Sequence, residues 1–229
     1  MKRFWKDAAP VVVDGGYAVE LDGRRLKTPA RADLVVPSGA LAEAVADEWR
    51  DCAETVDPRA MPLTGLANAA IDRVAAAKDR FAADLAAYGE SDLTCYRADG
   101  PAALVAQQAQ HWDALIDWAR RRYDVDFATS TGIMHVQQPD ATVKRLAHEV
   151  AALDAFRLAG LSPLVTIGGS LIAALAILEG ASTPEDAWEA VSLDDRWQIE
   201  QWGADDEAVK SLDNRRRDFL AAARFLYLL

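Results

Sequence analysis

The chain has 229 residues, with 36 Asp and Glu against 25 Lys and Arg for a formal net charge of −11, and it is 51% hydrophobic and 27% charged. A chain of this length buries roughly 70–75% of the surface its unfolded form exposes, so one large or two small domains can hold a core without disulfide or metal. The negative balance excludes the usual nucleic-acid binders, whose affinity comes largely from Lys and Arg that displace counterions from phosphate.

From Val11 to Pro37 the pattern has period two and is cut by turns. Val11-Val12-Val13 is a strand, and Asp14-Gly15-Gly16 is a turn. Tyr17, Val19 and Leu21 then share one face of a second strand, and Asp22-Gly23 turns again. Arg24–Thr28 reads as the returning strand, stopped by Pro29, and Leu34-Val35-Val36 as another.

Beyond Pro37 the period becomes 3.6. Ser38 is the expected N-cap of a helix whose apolar stripe is Leu41, Val45, Trp49 and Cys52, and Asp57-Pro58 breaks it. Thr64 is the expected cap of a second helix carrying Ala67, Ile71 and Val74, with Phe81, Leu85 and Tyr88 continuing to Gly89. Glu90–Pro101 reads as a loop. Leu104, Gln108, His111, Leu115 and Trp118 mark a long helix, and Val143, Leu146, Val150 and Leu153 another that closes near Gly160. Pro163–Leu178 is uncharged but too short for a membrane span, which needs roughly 20 apolar residues. It reads as a buried helix capped by Ser162, with Gly168-Gly169 admitting a neighbouring helix. Thr183-Pro184-Glu185 starts the next helix, and Ser192 with Asp195 resembles a capping box for a helix ending at Gly203. Asp205–Leu228 is the last. The basic triplets Arg120–Arg122 and Arg215–Arg217 each fall near a helix end and read as solvated faces.

The fold class expected is α+β: a small β-rich N-terminal domain with a closing helix over residues 1–57, then a larger all-helical domain over 58–229. Glu48 and Trp49 fall where the two would meet.

The chemistry of catalysis leaves few marks. The histidines, His111, His135 and His148, are scattered, and no zincin pattern accompanies His148-Glu149. Cys52 and Cys95 lack paired spacing, which suits a reducing compartment, and both read as small apolar fillers, with Cys95, in a loop beside Tyr96 and Arg97, the one candidate for a reactive thiol. There is no nucleophile elbow, and Thr166-Ile167-Gly168-Gly169-Ser170 is no phosphate loop, so no cofactor or metal is expected. Ile199 and Trp202, three apart on the helix that follows Ser192, share a face expected to pack inward, which leaves Asp194 and Asp195 facing outward. The acids Asp194, Asp195 and Glu200, near Trp197 and Trp202, leave two readings open. One is a partner-binding surface, which the seven tryptophans favour. The other is a small-molecule enzyme with an acidic site between the two domains.

Several segments, in order, resemble one family. They are Arg3-Phe4-Trp5-Lys6, Gly16-Tyr17 with Leu21–Pro29, Glu48-Trp49, Met61–Thr64, Asp92–Arg97, Trp112-Asp113 with Trp118, and Leu193–Gly203. Together they are similar to the assembly chaperones that attend the alpha subunit of the F-type ATP synthase in mitochondria and some bacteria. Relatives often carry glutamine where Cys52 stands and two glutamates where Asp194-Asp195 stand. The resemblance implies a binding protein, not an enzyme. It would hold the unassembled alpha subunit and cover surface destined for the beta subunit, with Asp194, Asp195, Gln198, Glu200 and Trp202 on its partner-binding surface. A monomer is expected. With no signal or transit peptide visible in Met1–Asp7, so is a bacterial cytoplasm, or the mitochondrial matrix in a eukaryote.

Overall fold

In the computed structural model, which describes residues 2–132, 134–203 and 205–229, the period-two segment folds as an antiparallel sheet. β1 (Ala8–Val13) and β2 (Gly16–Leu21) form a hairpin in register from Val13↔Gly16 to Ala8↔Leu21. β3 (Arg24–Arg25) and β4 (Val35–Val36) both pair with β2. The close packing of this corner selects glycine at position 16, where a Cβ would sit 2.4 Å from the Val36 carbonyl oxygen.

The returning strand is shorter than the sequence suggests, because the chain leaves the ladder to form a loop that a carboxylate fastens. Asp72 accepts hydrogen bonds from the Thr28 hydroxyl at 2.6 Å and the Ala30 amide at 3.0 Å.

Two units gather the chain. The first comprises Met1–Lys78, Asp154–Gly160 and Arg224–Leu229; the second comprises Asp79–Leu153 and Leu161–Ala223.

In the first unit, α1 (Gly39–Arg50) packs on β1 and β2. Ser38 caps it as expected, its Oγ accepting from the Leu41 amide at 3.0 Å. Leu41, Val45, Trp49 and Cys52 are all buried, and a wholly buried Leu or Val is worth roughly 1.5–3 kcal/mol. The N-terminal motif closes over the end of this helix. Arg3 donates to the Arg50 and Cys52 carbonyls, satisfying acceptors that a helix C-terminus leaves open, and its guanidinium lies 5.7 Å from the centre of the Trp5 ring. The Trp5 indole donates to the Trp49 carbonyl at 3.0 Å.

The next helix begins earlier than Thr64. α2 (Pro62–Ala69) starts with proline at its first position, where no N–H is needed, and no side chain of its own caps it. The cap comes from α1. The Glu48 carboxylate accepts from the amides of Leu63 and Thr64, each at 2.8 Å, and from the Thr64 hydroxyl at 2.7 Å. Thr64 is therefore a donor to the cap and not the cap.

From α2 the chain runs through a π turn (Ala70–Val74) and a short tighter turn into α3 (Lys78–Ala86). In the second unit the expected loop contains a turn over Leu93–Cys95 and β5 (Tyr96–Arg97), which pairs in parallel with β6 (Ser130–Thr131). The long helix is α4 (Ala102–Gln108), a π turn (Ala109–Asp113) and α5 (Ala114–Tyr123).

α6 (Asp140–Ala151) stops before Gly160, because Asp154 starts another helix by accepting from the amides of Phe156 and Arg157 at 2.9 Å. That helix, α7 (Ala155–Gly168), carries Pro163 in its interior, so Ser162 is not a cap. The break falls at Gly169, whose φ of +67° ends the helix, and Ser170, whose Oγ accepts from the Ala173 amide at 3.0 Å. Gly168 does admit neighbours: a Cβ there would lie 3.3 Å from Val191 and 3.4 Å from Phe219. α8 (Leu171–Leu178) is buried nearly all round, and no helix among the described residues is long and apolar enough to cross a membrane.

α9 (Pro184–Val191) has the expected Thr183 cap. α10 (Leu193–Trp202) lacks the capping box, because the Ser192 hydroxyl turns back to donate to the Trp188 carbonyl at 2.7 Å. α11 (Asp206–Tyr227) completes the fold. Arg120–Arg122 lie in the last turn of α5, whereas Arg215–Arg217 lie mid-helix in α11 and not near an end.

Burial pushes the Glu48 carboxyl above the ordinary glutamate range, outweighing the three hydrogen bonds that favour its charge. A carboxyl with a raised folded pKa holds its proton more readily folded than unfolded. Its contribution to stability is complete below the unfolded value and declines as pH rises through the folded one. Glu48→Gln, which offers one acceptor where two are used, is therefore expected to be less stable by roughly 1–3 kcal/mol. The gap should narrow as pH rises from about 4 to 7. Urea midpoints of both proteins across that range check this, and a gap that widens with pH contradicts it.

Candidate partner-binding groove

On α10, residues Asp194, Trp197, Gln198 and Trp202 recur at helical spacing and form one wall of a groove of about 620 Å³. The other wall is the segment Leu93–Pro101 together with Leu104 and Gln108 of α4. All of these residues belong to the second unit.

The irregular wall is held from beneath by Asp92, which is wholly buried. Its carboxylate accepts from the Thr94 amide at 3.0 Å and hydroxyl at 2.8 Å, from the Ser170 hydroxyl at 2.8 Å and from the Ile172 amide at 2.9 Å. One side chain thus caps both the Leu93–Cys95 turn and the start of α8. Desolvation pushes its carboxyl up in spite of these four donors.

Arg97 fixes the next stretch. Its Nε donates to the Thr94 carbonyl at 3.0 Å, its Nη2 lies 2.7 Å from an Asp113 oxygen, and the guanidinium sits 5.4 Å from the centre of the Trp112 ring.

Gln108, 2% exposed, joins the two walls. Its Oε1 accepts from the Ala98 amide at 2.8 Å, and its Nε2 donates to the Asp194 carboxylate at 2.8 Å. Both ends of a buried amide are satisfied, which fixes the groove's width at this point.

The residues expected on a partner-binding surface separate here. Asp194, Gln198 and Trp202 line the groove; Asp195 and Glu200 do not. Asp194 is half-buried against Gln108, and Asp195 pairs with Arg215 at 2.8 Å, so each acid has an intramolecular partner. Glu200 is exposed. Trp202 does not pack inward with Ile199: it is 81% exposed, because it ends the helix at Gly203, where φ is +92°. Glu48 and Trp49 lie in the first unit, as the cap of α2 and in the core beside Trp5, with rings 5.0 Å apart.

Sequence reasoning missed Trp197, Tyr96, Leu104 and Gln108 as groove residues. The dense motifs Asp92–Arg97 and Leu193–Gly203 were the available signal, since each supplies one wall. Cys95, weighed for reactivity, is fully buried, and burial followed by the Asp92 charge pushes its thiol up to about 12.

A groove with apolar walls and an exposed tryptophan at its rim is a surface suited to another protein. The chain belongs to the ATP12 chaperone protein family, whose model matches residues 2–120, and that family is one of chaperones rather than enzymes. The crystal structure of Atp12 from Paracoccus denitrificans is similar with a TM-score of 0.94 and 42% identity, over 99% of this chain and 97% of that one. A protein of Agrobacterium tumefaciens is similar with a TM-score of 0.94 and 40% identity, over 99% and 85%. The mitochondrial protein atp12 of Schizosaccharomyces pombe is 26% identical over 237 residues, covering 98% of this chain and 81% of the relative.

Two outcomes are expected of the groove. Gln108→Leu keeps the volume but leaves the Ala98 amide and the Asp194 carboxylate without their partner, which should cost roughly 1–2 kcal/mol. It should also speed amide exchange at Ala98, and an unchanged exchange rate there contradicts the bridging role. Cys95 should resist iodoacetamide in the native protein at mild alkaline pH and react once the chain is unfolded in guanidinium. Mass spectrometry of the modified peptide decides this, and rapid native labelling contradicts it.

Proposed function

We propose that the chain is an assembly chaperone of the F-type ATP synthase. It binds the unassembled alpha subunit, shields the surface destined for the beta subunit, and is released when that subunit arrives. It acts as a monomer, in a bacterial cytoplasm or, in a eukaryotic host, in the mitochondrial matrix.

The observation that carries this reading is Trp202, 81% exposed at the mouth of an apolar groove. Large exposed apolar surfaces are aggregation liabilities unless a partner covers them, and tryptophan is among the residues that most often dominate an interface. Membership of a chaperone family supports the role. Gln198 lies one turn before Trp202 on the same wall, and Asp194 and Asp195 hold α10 in place through Gln108 and Arg215. Glu200 adds negative charge on the same helix.

Trp202→Ala should change stability by no more than about 0.5 kcal/mol, because the side chain is exposed. It should nevertheless weaken capture of the alpha subunit by roughly 30-fold, the loss of about 2 kcal/mol expected of an interface anchor. Light scattering of the alpha subunit at near-stoichiometric ratios measures this, with circular dichroism as the folding control. Equal protection by both proteins removes Trp202 from the interface.

A further inference from the structure

The acids that the family motif brings forward, Asp194 and Asp195, have partners within the chain. A different set does not. Residues 198–207 contain four acids, Glu200, Asp205, Asp206 and Glu207, and no Lys or Arg. Asp205, Asp206 and Glu207 are exposed, and none has an ion-pair partner among the described residues. Asp205 follows Trp202 by three residues, so the chain itself keeps it within about 11 Å of the groove's mouth. On the facing wall Asp99 is exposed, while the cation lining the groove, Arg97, is answered by Asp113.

The wall also limits the kind of polypeptide that fits. A strand added along Arg97-Ala98 would need the Arg97 carbonyl on one edge or the Ala98 amide on the other, because the two groups of a trans peptide point opposite ways. The first accepts from the Gly132 amide at 2.8 Å, and the second donates to Gln108 at 2.8 Å. What the groove offers instead is side-chain surface: Leu93, Tyr96, Leu104, Trp197 and Trp202. That surface suits the apolar face of a helix, recognised through residues three and four apart.

We infer that the groove takes an amphipathic helix of the partner whose apolar face lies between α4 and α10 and whose flanking Lys and Arg residues meet Asp99 and the Asp205–Glu207 cluster. This deepens the proposed function and rests on it for the partner's identity, but not for the chemistry of the bound segment. The apolar face supplies the held contact, and the charges supply orientation and speed of encounter, with a strength that falls as salt rises.

The test uses the full-length chaperone and two synthetic helical peptides of about 18 residues with the same leucine face, one with lysine and one with glutamate on its polar face. Affinities are measured by calorimetry at about 50 and 300 mM salt. Three variants accompany the wild type. These are Trp202→Ala, a triple reversal Asp205→Lys, Asp206→Lys and Glu207→Lys, and a control reversal of equal charge, Asp14→Lys, Glu54→Lys and Asp79→Lys.

The lysine peptide should bind at least roughly tenfold tighter than the glutamate peptide at low salt, with the difference shrinking at high salt. Trp202→Ala and the 205–207 reversal should each weaken it by about tenfold, and the control by less than about threefold. Equal binding of both peptides, equal loss in the two reversals, or no loss in Trp202→Ala overturns the inference. Capture of the alpha subunit is measured in parallel. Capture without the peptide preference overturns this inference alone, whereas the peptide preference without capture supports the groove chemistry and overturns the partner assignment.

Discussion

A carboxylate taken out of water must be satisfied by several donors at once, and in this fold that requirement fixes the parts the sequence leaves irregular. Asp92 is the clearest case. It has no exposure, yet four groups from two separate stretches of chain converge on it. Its burial forces the Leu93–Cys95 turn and the start of α8 to adopt one arrangement relative to each other. The residues that follow, through Ala98, form one wall of the groove, tied down by the Arg97 bond to the Thr94 carbonyl and by the Gln108 bond to the Ala98 amide. Glu48 does the same for the first unit, where it caps α2 from α1. In both places the cap is remote in sequence from the helix it serves, separated by 15 residues for Glu48 and by 80 for Asp92.

Remoteness explains which features were legible beforehand. Ser38 and Thr183 cap their own helices, and local spacing was enough to find them. Thr64 and Ser192 looked like caps by the same rule and are not. Glu48 supplies what Thr64 would have offered, and the Trp188 carbonyl claims the Ser192 hydroxyl. The period change after Pro37 announced the sheet and the helices because it reflects burial of one face, which is a local pattern. Proline is the stronger local signal for a helix start and points to Pro163, whereas the helix runs through Pro163 to Gly168 and breaks at Gly169.

The same distinction runs through the groove. Asp194, Gln198 and Trp202 were visible as part of a dense motif, and their common wall follows from helical spacing. Trp202 was expected to face inward with Ile199, and its exposure was not readable, because nothing in the local pattern says that the helix ends against open solvent. Gln108 was invisible as a functional residue. It looked like one polar position on an amphipathic helix, and its role as the bridge between Ala98 and Asp194 depends on contacts 10 and 86 residues away. Its burial is the physical sign that a polar side chain is committed to structure.

Two side chains offer a direct comparison of surfaces, because they are exposed to the same degree in different units: Trp202 at 81% and Val12 at 80%. A photo-reactive benzoylphenylalanine placed at either position would be equally accessible, so a difference in the adducts reports where a partner sits and not how open the site is. The measurement is irradiation of each labelled chaperone with the freshly unfolded alpha subunit, followed by mass spectrometry of the crosslinked peptides. The account predicts an adduct from position 202 that joins a single amphipathic segment of the alpha subunit, and none from position 12. Crosslinking from position 12 with none from position 202 would contradict it.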